Sequence, residues 1–320
     1  MRWQENVQSI RALQTTKRMT KEKKQKGVYT CMRAVDLHTH SNKSDGSYSP
    51  TELVDYAIAK GLSAVALTDH DTTDGLEEAV AHAETLTRTG KPSVEVIPGI
   101  EFSTKHEDKD VHVVGLYIAY DAPDFRAKLQ EFVDSRTNRN IKMCRNLQEA
   151  GIDITYDKLI ERNPDAVITR AHYASYLFED GYVKSRQEAF AKYLGDHTKY
   201  FVPREKVTPE KAVELILRVG GVPILAHPPL YHMGKERLDR LVSVLKDVGL
   251  MGIEALYSTY TNQDERDMMR LADKYDLLPS GGSDFHGANK PNLDLGVGYG
   301  KLFVPEDFLT TIKKAAGRLI

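Results

Sequence analysis

The chain of 320 residues has only two cysteines, Cys31 and Cys144, and a single tryptophan. Two cysteines cannot form the disulfide framework of a small secreted domain, so we expect a reducing, cytoplasmic location. No run of about 18 apolar residues occurs, which argues against a transmembrane helix. The formal net charge of −2 gives no overall attraction to nucleic acid or to a membrane. Any polyanion must therefore bind to a local cluster of charge or to metal.

The first 32 residues are basic and contain few apolar residues. Seven arginines and lysines lie between Arg11 and Lys26. The stretch lacks the apolar core of a signal peptide, and few aromatic residues are interspersed among its charges. We therefore expect residues 1–32 to form a flexible extension. A basic arm that touches nucleic acid is the alternative.

Strand and helix patterns alternate from Ala34 onward. Ser49 and Glu52 form a capping-box pattern around a proline, and Thr208 also precedes a proline, so two helix starts are predicted. Apolar runs predict strands at 63–68, 94–100, 111–117, 222–226, 252–256 and 278–283. This alternation is typical of an α/β fold with a parallel sheet or barrel.

Residues 121–206 interrupt the alternation with helical patterns only. We therefore predict an inserted, mainly helical subdomain at 121–206, between the barrel segments 33–120 and 207–320. A full barrel of eight βα units takes about 250 residues. Because the two segments together are shorter than that, six or seven units fit them better.

Several predicted strands carry or precede residue types that bind metal. The histidines in such positions are His38, His40, His70, His112, His227 and His286, and the carboxylates are Asp45, Glu101 and Asp284. Residues two apart on a strand point to the same side, so His38 and His40 can hold one ion. If the strands are parallel, their carboxyl ends lie at one face, where barrel enzymes build their sites. The pattern therefore predicts a metal site with several ions.

Each of these residues alone also has an ordinary explanation. A single histidine after a strand is more often a hydrogen-bonded structural residue, Glu101 could form an ion pair, and Asp45 could belong to a turn. Asp69 and Asp71, which flank His70, fit capping or supporting roles better than ligation. The complete set nevertheless favours metal. Nitrogen and oxygen ligands without thiolate suit Mn²⁺, Zn²⁺ or Fe²⁺.

The order of the motifs along the chain carries a family resemblance. The segments D-L-H-T-H-S, S-D-G, T-D-H-D, P-G-I-E-F-S, H-V-V-G-L, A-H-P and G-G-S-D-F-H resemble the PHP family, named for polymerase and histidinol phosphatase. The resemblance implies a distorted (β/α)7 barrel with three metal ions and nine ligands. It implies one ion on His38, His40, Glu101 and Asp284, a second on Glu101, His112 and His227, and a third on Asp45, His70 and His286. The amidohydrolases also open with H-x-H, but they usually end with a lone aspartate and resemble this chain less.

The resemblance implies a metal-dependent phosphoric ester hydrolase. Clustered divalent ions activate water and clamp the oxygens of a phosphoryl group. Glu101 and Asp284 are then predicted to act in catalysis through a metal-bound hydroxide. The sequence shows no Ser/His/Asp nucleophile motif, P-loop or G-x-G-x-x-G fingerprint. Hydrolysis therefore needs no covalent enzyme intermediate.

Two arginine motifs in the predicted insertion point to the substrate. I-T-R-A-H-Y-A, with Arg170 and His172, and S-R-T-N-R-N, with Arg136 and Arg139, resemble motifs of small standalone PHP phosphoesterases. That subgroup includes nucleoside 3′,5′-bisphosphate phosphatases and 5′→3′ exoribonucleases. Arginine suits phosphate because its planar fork donates two hydrogen bonds at once. A solvated helix face is the alternative for Arg136 and Arg139.

The predicted function is hydrolysis of nucleoside bisphosphates or of short oligonucleotides, with up to three divalent ions, of which Mn²⁺ is favoured. We expect no membrane contact and no obligate protein partner. Histidinol-phosphate phosphatase is an alternative that the helical insertion disfavours. A non-catalytic metal-binding accessory module is another, which the intact ligand set and the lack of a polymerase segment disfavour.

Overall fold

The computed structural model describes residues 33–203 and 207–318. The part of the chain from Arg33 onward forms one compact unit. The basic stretch 1–32 lies outside the described residues, so its flexibility stays a prediction. Within the described ranges, no helix combines the length and the apolar character needed to cross a membrane.

The described strands form one sheet that closes almost completely into a barrel. They are β1 (Ala34–Thr39), β2 (Ala64–Leu67), β3 (Glu95–His106), β4 (Lys109–Leu116), β5 (Val222–Ala226), β6 (Gly252–Tyr257), β7 (Leu278–Gly282) and β8 (Val304–Pro305). Their spatial order is β7-β6-β5-β4-β3-β2-β1-β8, with the short β8 antiparallel to β1. The predicted barrel-like α/β architecture is confirmed.

Closure of the barrel brings β1 against the end of β7. The backbone N–H of Asp284 donates to the carbonyl of His38 at 2.9 Å, and that of His40 donates to the carbonyl of Phe285 at 2.9 Å. A Cβ atom at Gly282 would lie 2.4 Å from the Cβ of His38, so only glycine permits this approach. The first and last metal-binding motifs therefore meet across one seam.

One strand runs against the predicted direction. Most neighbouring strands are parallel, but β4 is antiparallel to both β3 and β5. The expectation of a parallel barrel is therefore wrong for β4, and the short β8 is antiparallel as well. Only Glu107 and Asp108 separate β3 from β4, and a parallel connection needs a crossover of a dozen or more residues. His112, near the start of β4, consequently lies at the edge where the parallel strands end.

The helices surround this sheet. They are α1 (Pro50–Ala59), α2 (Leu76–Arg88), α3 (Pro123–Glu149), α4 (Tyr156–Arg162), α5 (Arg170–Glu179), α6 (Arg186–Ala189), α7 (Pro209–Arg218), α8 (Lys235–Val248), α9 (Asn262–Tyr275) and α10 (Glu306–Ala315). The predicted helix starts are confirmed: Ser49 and Glu52 form a capping box, and the Thr208 side chain accepts a hydrogen bond from the N–H of Lys211.

The described part of the segment between β4 and α7 contains helices joined by turns and loops, and no strand. It contains α3 to α6 and a short π-helix, Phe190–Leu194, and α3 is one continuous helix of 27 residues. These helices share an apolar cluster that includes Met143, Leu147 and Tyr173. The helical character predicted for 121–206 is thus present. Whether that segment folds as a separate unit stays a prediction.

Candidate metal centre and adjoining cavity

The nine predicted ligands converge at one edge of the barrel. Four groups have ligand atoms within 4.8 Å of one another. The groups are His40, Asp45, His70 and His286; His38, His40 and Asp284; His38, Glu101 and His227; and His70, Glu101 and His112. Together they contain all nine predicted residues. The positions follow from the strands: His38 lies next to the last residue of β1, His227 directly follows β5, and Asp284 follows β7.

Glu101 lies at the centre of the site, and its two oxygens face different histidines. Oε2 is 3.3 Å from Nε2 of both His38 and His40. Oε1 is 2.8 Å from Nδ1 of His112 and 3.1 Å from Nε2 of His227. Glu101 could therefore contribute one oxygen to each of two neighbouring ligand groups.

Asp284 and Asp45 supply the carboxylate oxygens of two other ligand groups. Oδ1 of Asp284 is 3.2 Å from Nε2 of His40. Oδ1 of Asp45 is 3.2 Å from Nε2 of His286, and its Oδ2 is 3.9 Å from Nε2 of His70. A hard oxygen atom is thus available beside each histidine group at this edge of the barrel.

The donor atoms of this site suit a divalent ion. Among the described residues, Nε2 of His38 and Nε2 of His40 are buried without a hydrogen-bond partner. A buried polar atom without a partner costs about 1–3 kcal/mol. Both atoms face Glu101 Oε2, where a cation would accept their lone pairs. With nitrogen and oxygen donors and no sulfur, the residues fit Mn²⁺, Zn²⁺ or Fe²⁺.

The carboxylates control the charge of these histidines. Burial lowers the pKa of His40, but Asp284 and Glu101 outweigh it and raise the pKa to about 9. Burial raises the pKa of Glu101, yet His70 and His38 hold it well below its usual range. Burial also takes the pKa of His70 well below its usual value, against the pull of Glu101. A metal ion must therefore compete with a proton for the His40 ring.

A cavity of about 180 Å³ opens onto this centre. Its inner end is lined by Asp45, His70 and His112. Its wall carries the predicted substrate-binding arginines Arg136, Arg139 and Arg170, and its outer part carries Phe190 and Phe201. The helical segment therefore supplies a positively charged and partly aromatic wall beside the metal-binding groups of the barrel.

The three arginines are held by neighbouring groups. Arg136 on α3 is 5% exposed and forms an ion pair with Asp71, and Arg139 is 9% exposed. Both therefore lie inside the protein, and the alternative of a solvated helix face does not apply. Arg170 at the start of α5 contacts Oδ2 of Asp110 at 2.7 Å and Oδ1 of Asp196 at 2.6 Å.

His172 occupies a different position from the arginines. Its side chain is buried, and its Nδ1 accepts a hydrogen bond from the backbone N–H of Thr169 at 3.0 Å, which completes a capping box. His172 does not belong to the lining of the cavity. The Thr169 hydroxyl in turn donates to Oδ2 of Asp45 at 3.1 Å. The start of α5 thus braces a predicted ligand, while substrate contact by His172 stays a prediction.

The sequence matches the family described as PHP domain over residues 36–219, more than half of the chain. The chain belongs to the PHP domain family. A 5′-3′ exoribonuclease from Haemophilus influenzae is 38% identical over 251 residues, which are 78% of this chain and 89% of that protein. A 3′,5′-nucleoside bisphosphate phosphatase from Chromobacterium violaceum is 36% identical and covers 83% of this chain and 91% of its own length.

A solved structure from Bifidobacterium adolescentis, assigned provisionally as a metal-dependent phosphoesterase, has a TM-score of 0.77 at 27% identity. The match covers 88% of this chain and 96% of that one. These likenesses confirm the predicted PHP family and the predicted class, a metal-dependent phosphoesterase.

Some supporting residues of this PHP site were not found from the sequence. Glu254 on β6 lies behind the histidines, where its Oε1 is 2.9 Å from Nδ1 of His38 and its Oε2 accepts from the backbone N–H of His227 at 2.6 Å. With Nδ1 donating to this carboxylate, Nε2 is the ring nitrogen that would bind a metal. The sequence does contain a clue, because Glu254 is the one acid in the apolar run G-I-E-A-L-Y.

Asp284 is oriented by two further residues that the motifs do not include. Its Oδ2 accepts hydrogen bonds from the Tyr257 hydroxyl at 2.5 Å and from Nζ of Lys290 at 2.5 Å. Oδ1 is then left toward His38 and His40. Asp284 also has a φ of 58°, in the left-handed region that costs a residue with a side chain about 1–3 kcal/mol. The surrounding contacts therefore hold a strained backbone at this PHP ligand.

The aspartates beside His70 act as supports. Asp69 accepts hydrogen bonds from the Ser41 N–H at 2.8 Å and from the Ser44 hydroxyl at 2.5 Å, which fixes the loop that leads to Asp45. Asp71 accepts from the backbone N–H of Ser103 at 2.9 Å. Neither aspartate belongs to the four groups that could hold an ion.

Proposed function

We propose that this PHP protein releases phosphate from nucleoside 3′,5′-bisphosphates or removes nucleotides from the 5′ end of short oligonucleotides. The observation that carries the proposal is the cavity, in which Arg136, Arg139 and Arg170 stand beside the metal-binding edge of the barrel. A nucleotide with two phosphates needs both features, one for the reacting ester and one for the remaining charge. The names of the two relatives support the same substrate class.

We assign the nine clustered residues as ligands for up to three divalent ions. The assignment is His38, His40, Glu101 and Asp284 for one ion, Glu101, His112 and His227 for a second, and Asp45, His70 and His286 for a third. Mn²⁺ is favoured because imidazole and carboxylate are mixed, and Zn²⁺ and Fe²⁺ are the alternatives. When bound, such ions lower the pKa of water to near neutrality and neutralise the charge of a phosphoryl group.

The residues of the chain itself hold the parts of the reaction in place. Glu254 and Lys290 fix His38 and Asp284, so the ligand atoms face inward without reorganisation. A guanidinium has five N–H donors, so the ion pairs of Arg170 with Asp110 and Asp196 leave donors for a phosphate oxygen. We propose that Arg170 orients the substrate, with Arg136 and Arg139 adding positive charge to the same wall.

Assays of phosphate release and of mononucleotide release, each with Mn²⁺, Zn²⁺ or Fe²⁺ supplied in turn, test this proposal. The substrates are adenosine 3′,5′-bisphosphate, short RNA and DNA with a 5′-phosphate, and histidinol phosphate, and the control is Glu101→Gln. We expect turnover of the nucleotides that the Glu101 variant loses. Activity confined to histidinol phosphate would favour the histidinol-phosphate phosphatase, and no activity with any of the three metals would favour an accessory module. The cytoplasmic location, suggested by the low cysteine content, stays a prediction.

A further inference from the structure

The outer part of the cavity has an aromatic wall. Phe190 and Phe201 line it together with Ala171 and Val202. These apolar side chains contrast with the charged residues at the inner end of the cavity. Phe190 is 37% exposed, so its ring is accessible to a ligand in the cavity. An apolar face beside a phosphate-binding end matches the two chemical halves of a nucleotide.

The backbone around Phe190 is shaped in an unusual way. Phe190 begins the π-helix Phe190–Leu194, which follows α6 directly. Its carbonyl accepts a hydrogen bond from the N–H of Gly195 at 2.9 Å, five residues on. Leu194 at the other end of this turn is fully buried, whereas Phe190 lines the cavity. Short π-helical turns are rare and often occur at functional sites.

Arg170 lies close to both aromatic rings of the wall. Its Cζ lies 6.0 Å from the centroid of the Phe190 ring and 5.5 Å from that of the Phe201 ring. Because Asp110 and Asp196 hold the guanidinium, the cation is a fixed anchor for both rings. The aromatic wall is therefore set in place before a ligand arrives.

We propose that Phe190 and Phe201 form a stacking wall for the nucleobase of the substrate. The proposal rests on the nucleotide phosphoesterase function proposed above and adds the part of the ligand that this wall recognises. Stacking on an aromatic ring accepts every base, because each base has a π-face. The wall should strengthen binding of a nucleotide over the matching sugar phosphate by roughly 5- to 140-fold, with little preference among bases.

The test compares the binding of adenosine 5′-monophosphate with that of ribose 5-phosphate to the Mn²⁺-supplied protein by calorimetry. Phe190→Leu and Phe201→Leu remove the ring but keep an apolar side chain, so packing is largely preserved. Phe178→Leu is the matched control, because Phe178 is 41% exposed in the same helical segment and lies beside Arg186, outside the cavity lining. We expect the affinity ratio to fall toward one in the two wall variants and to stay unchanged in the control.

Three results would overturn the proposal that the wall stacks on a nucleobase. They are a wild-type affinity ratio near one, a ratio that the wall variants retain, and an equal loss of affinity for both ligands, which would mean a structural role. The proposed function is tested separately by release of phosphate or of mononucleotides. A protein that binds the nucleotide through the wall but hydrolyses no nucleotide would refute the proposed activity and leave the base-binding wall standing.

Discussion

Nδ1 of His38 lies 2.9 Å from Oε1 of Glu254, so a strand without a metal-binding motif fixes the first histidine of the site. Glu254→Gln removes the charge behind the ring and weakens control of its tautomer. We expect affinity for Mn²⁺ to fall about 10- to 100-fold. Calorimetric titration measures the loss of affinity. Glu214→Gln is the control, because Glu214 forms an exposed ion pair with Lys211. An unchanged affinity would mean that Glu254 serves the fold alone.

Turnover should depend on the two carboxylates at the centre of the ligand set. Glu101→Gln and Asp284→Ala are each expected to reduce kcat to less than about a tenth, since removal of a supporting residue alone often costs 10- to 100-fold. Circular dichroism checks that the fold remains, and Asp239→Asn, at an exposed ion pair, is the control. Retention of more than a tenth of wild-type kcat by the Glu101 variant would argue against a bridging role.

Arg170 should matter for nucleotides more than for small esters. Arg170→Ala is expected to lower kcat/KM on a nucleoside bisphosphate by roughly 10- to 150-fold, the value of a hydrogen bond to a charged group. Arg170→Lys should restore only part, because lysine lacks the bidentate fork. The control is Arg162→Ala, which removes an exposed arginine paired with Asp180 in the same helical segment. An equal loss of kcat/KM on a small chromogenic phosphate ester would mean that Arg170 supports the fold and does not bind the nucleotide.

Metal binding should release protons at neutral pH. The pKa of His40 is raised to about 9, so the metal-free ring carries a proton that an ion must displace. Affinity for Mn²⁺ should therefore rise with pH up to about 9. Calorimetry at pH 7.5 in two buffers of different ionisation enthalpy counts the protons, and identical heats in both buffers would contradict the prediction.

The same proton affects the metal-free fold. Because the folded-state pKa of His40 is above its ordinary value of 6.5, its stabilising contribution is fully present below that pH. The contribution is lost as the pH rises toward 9. Denaturant titration of the metal-free protein should thus show a falling free energy of unfolding between pH 6.5 and 9. A His40→Asn variant should show a weaker dependence, because the pKa of His38 is also raised above its usual value.

Activity should also be lost on chelation and return best with Mn²⁺. The mixed imidazole and carboxylate set favours Mn²⁺ over thiolate-preferring ions. A dialysed sample is checked by elemental analysis before each metal is added back. Full turnover in a sample shown to be free of metal would refute the dependence.

The sequence predicted which side chains come together at the barrel edge, because most of them stand in or beside a strongly apolar run. The run 222–226 coincides with β5, and His227 follows it as expected. The direction of β4 was not predictable, since the turn at Glu107 and Asp108 has no glycine or asparagine, and Glu107 adopts a φ of 52°. The burial of Arg136 could not be predicted from the sequence either, because it depends on how α3 packs against the barrel.

The seam at Gly282 has a consequence for how the protein is made. Its two sides are synthesised far apart in time, with His38 and His40 emerging early and Asp284 near the end. A ribosome-bound chain therefore exposes its first histidines long before a complete ion-binding cage can exist. The ion assigned to His38, His40, Glu101 and Asp284 could bind its full ligand set only after Asp284 has been made, and a chain truncated before Asp284 would lack the last ligand of that ion.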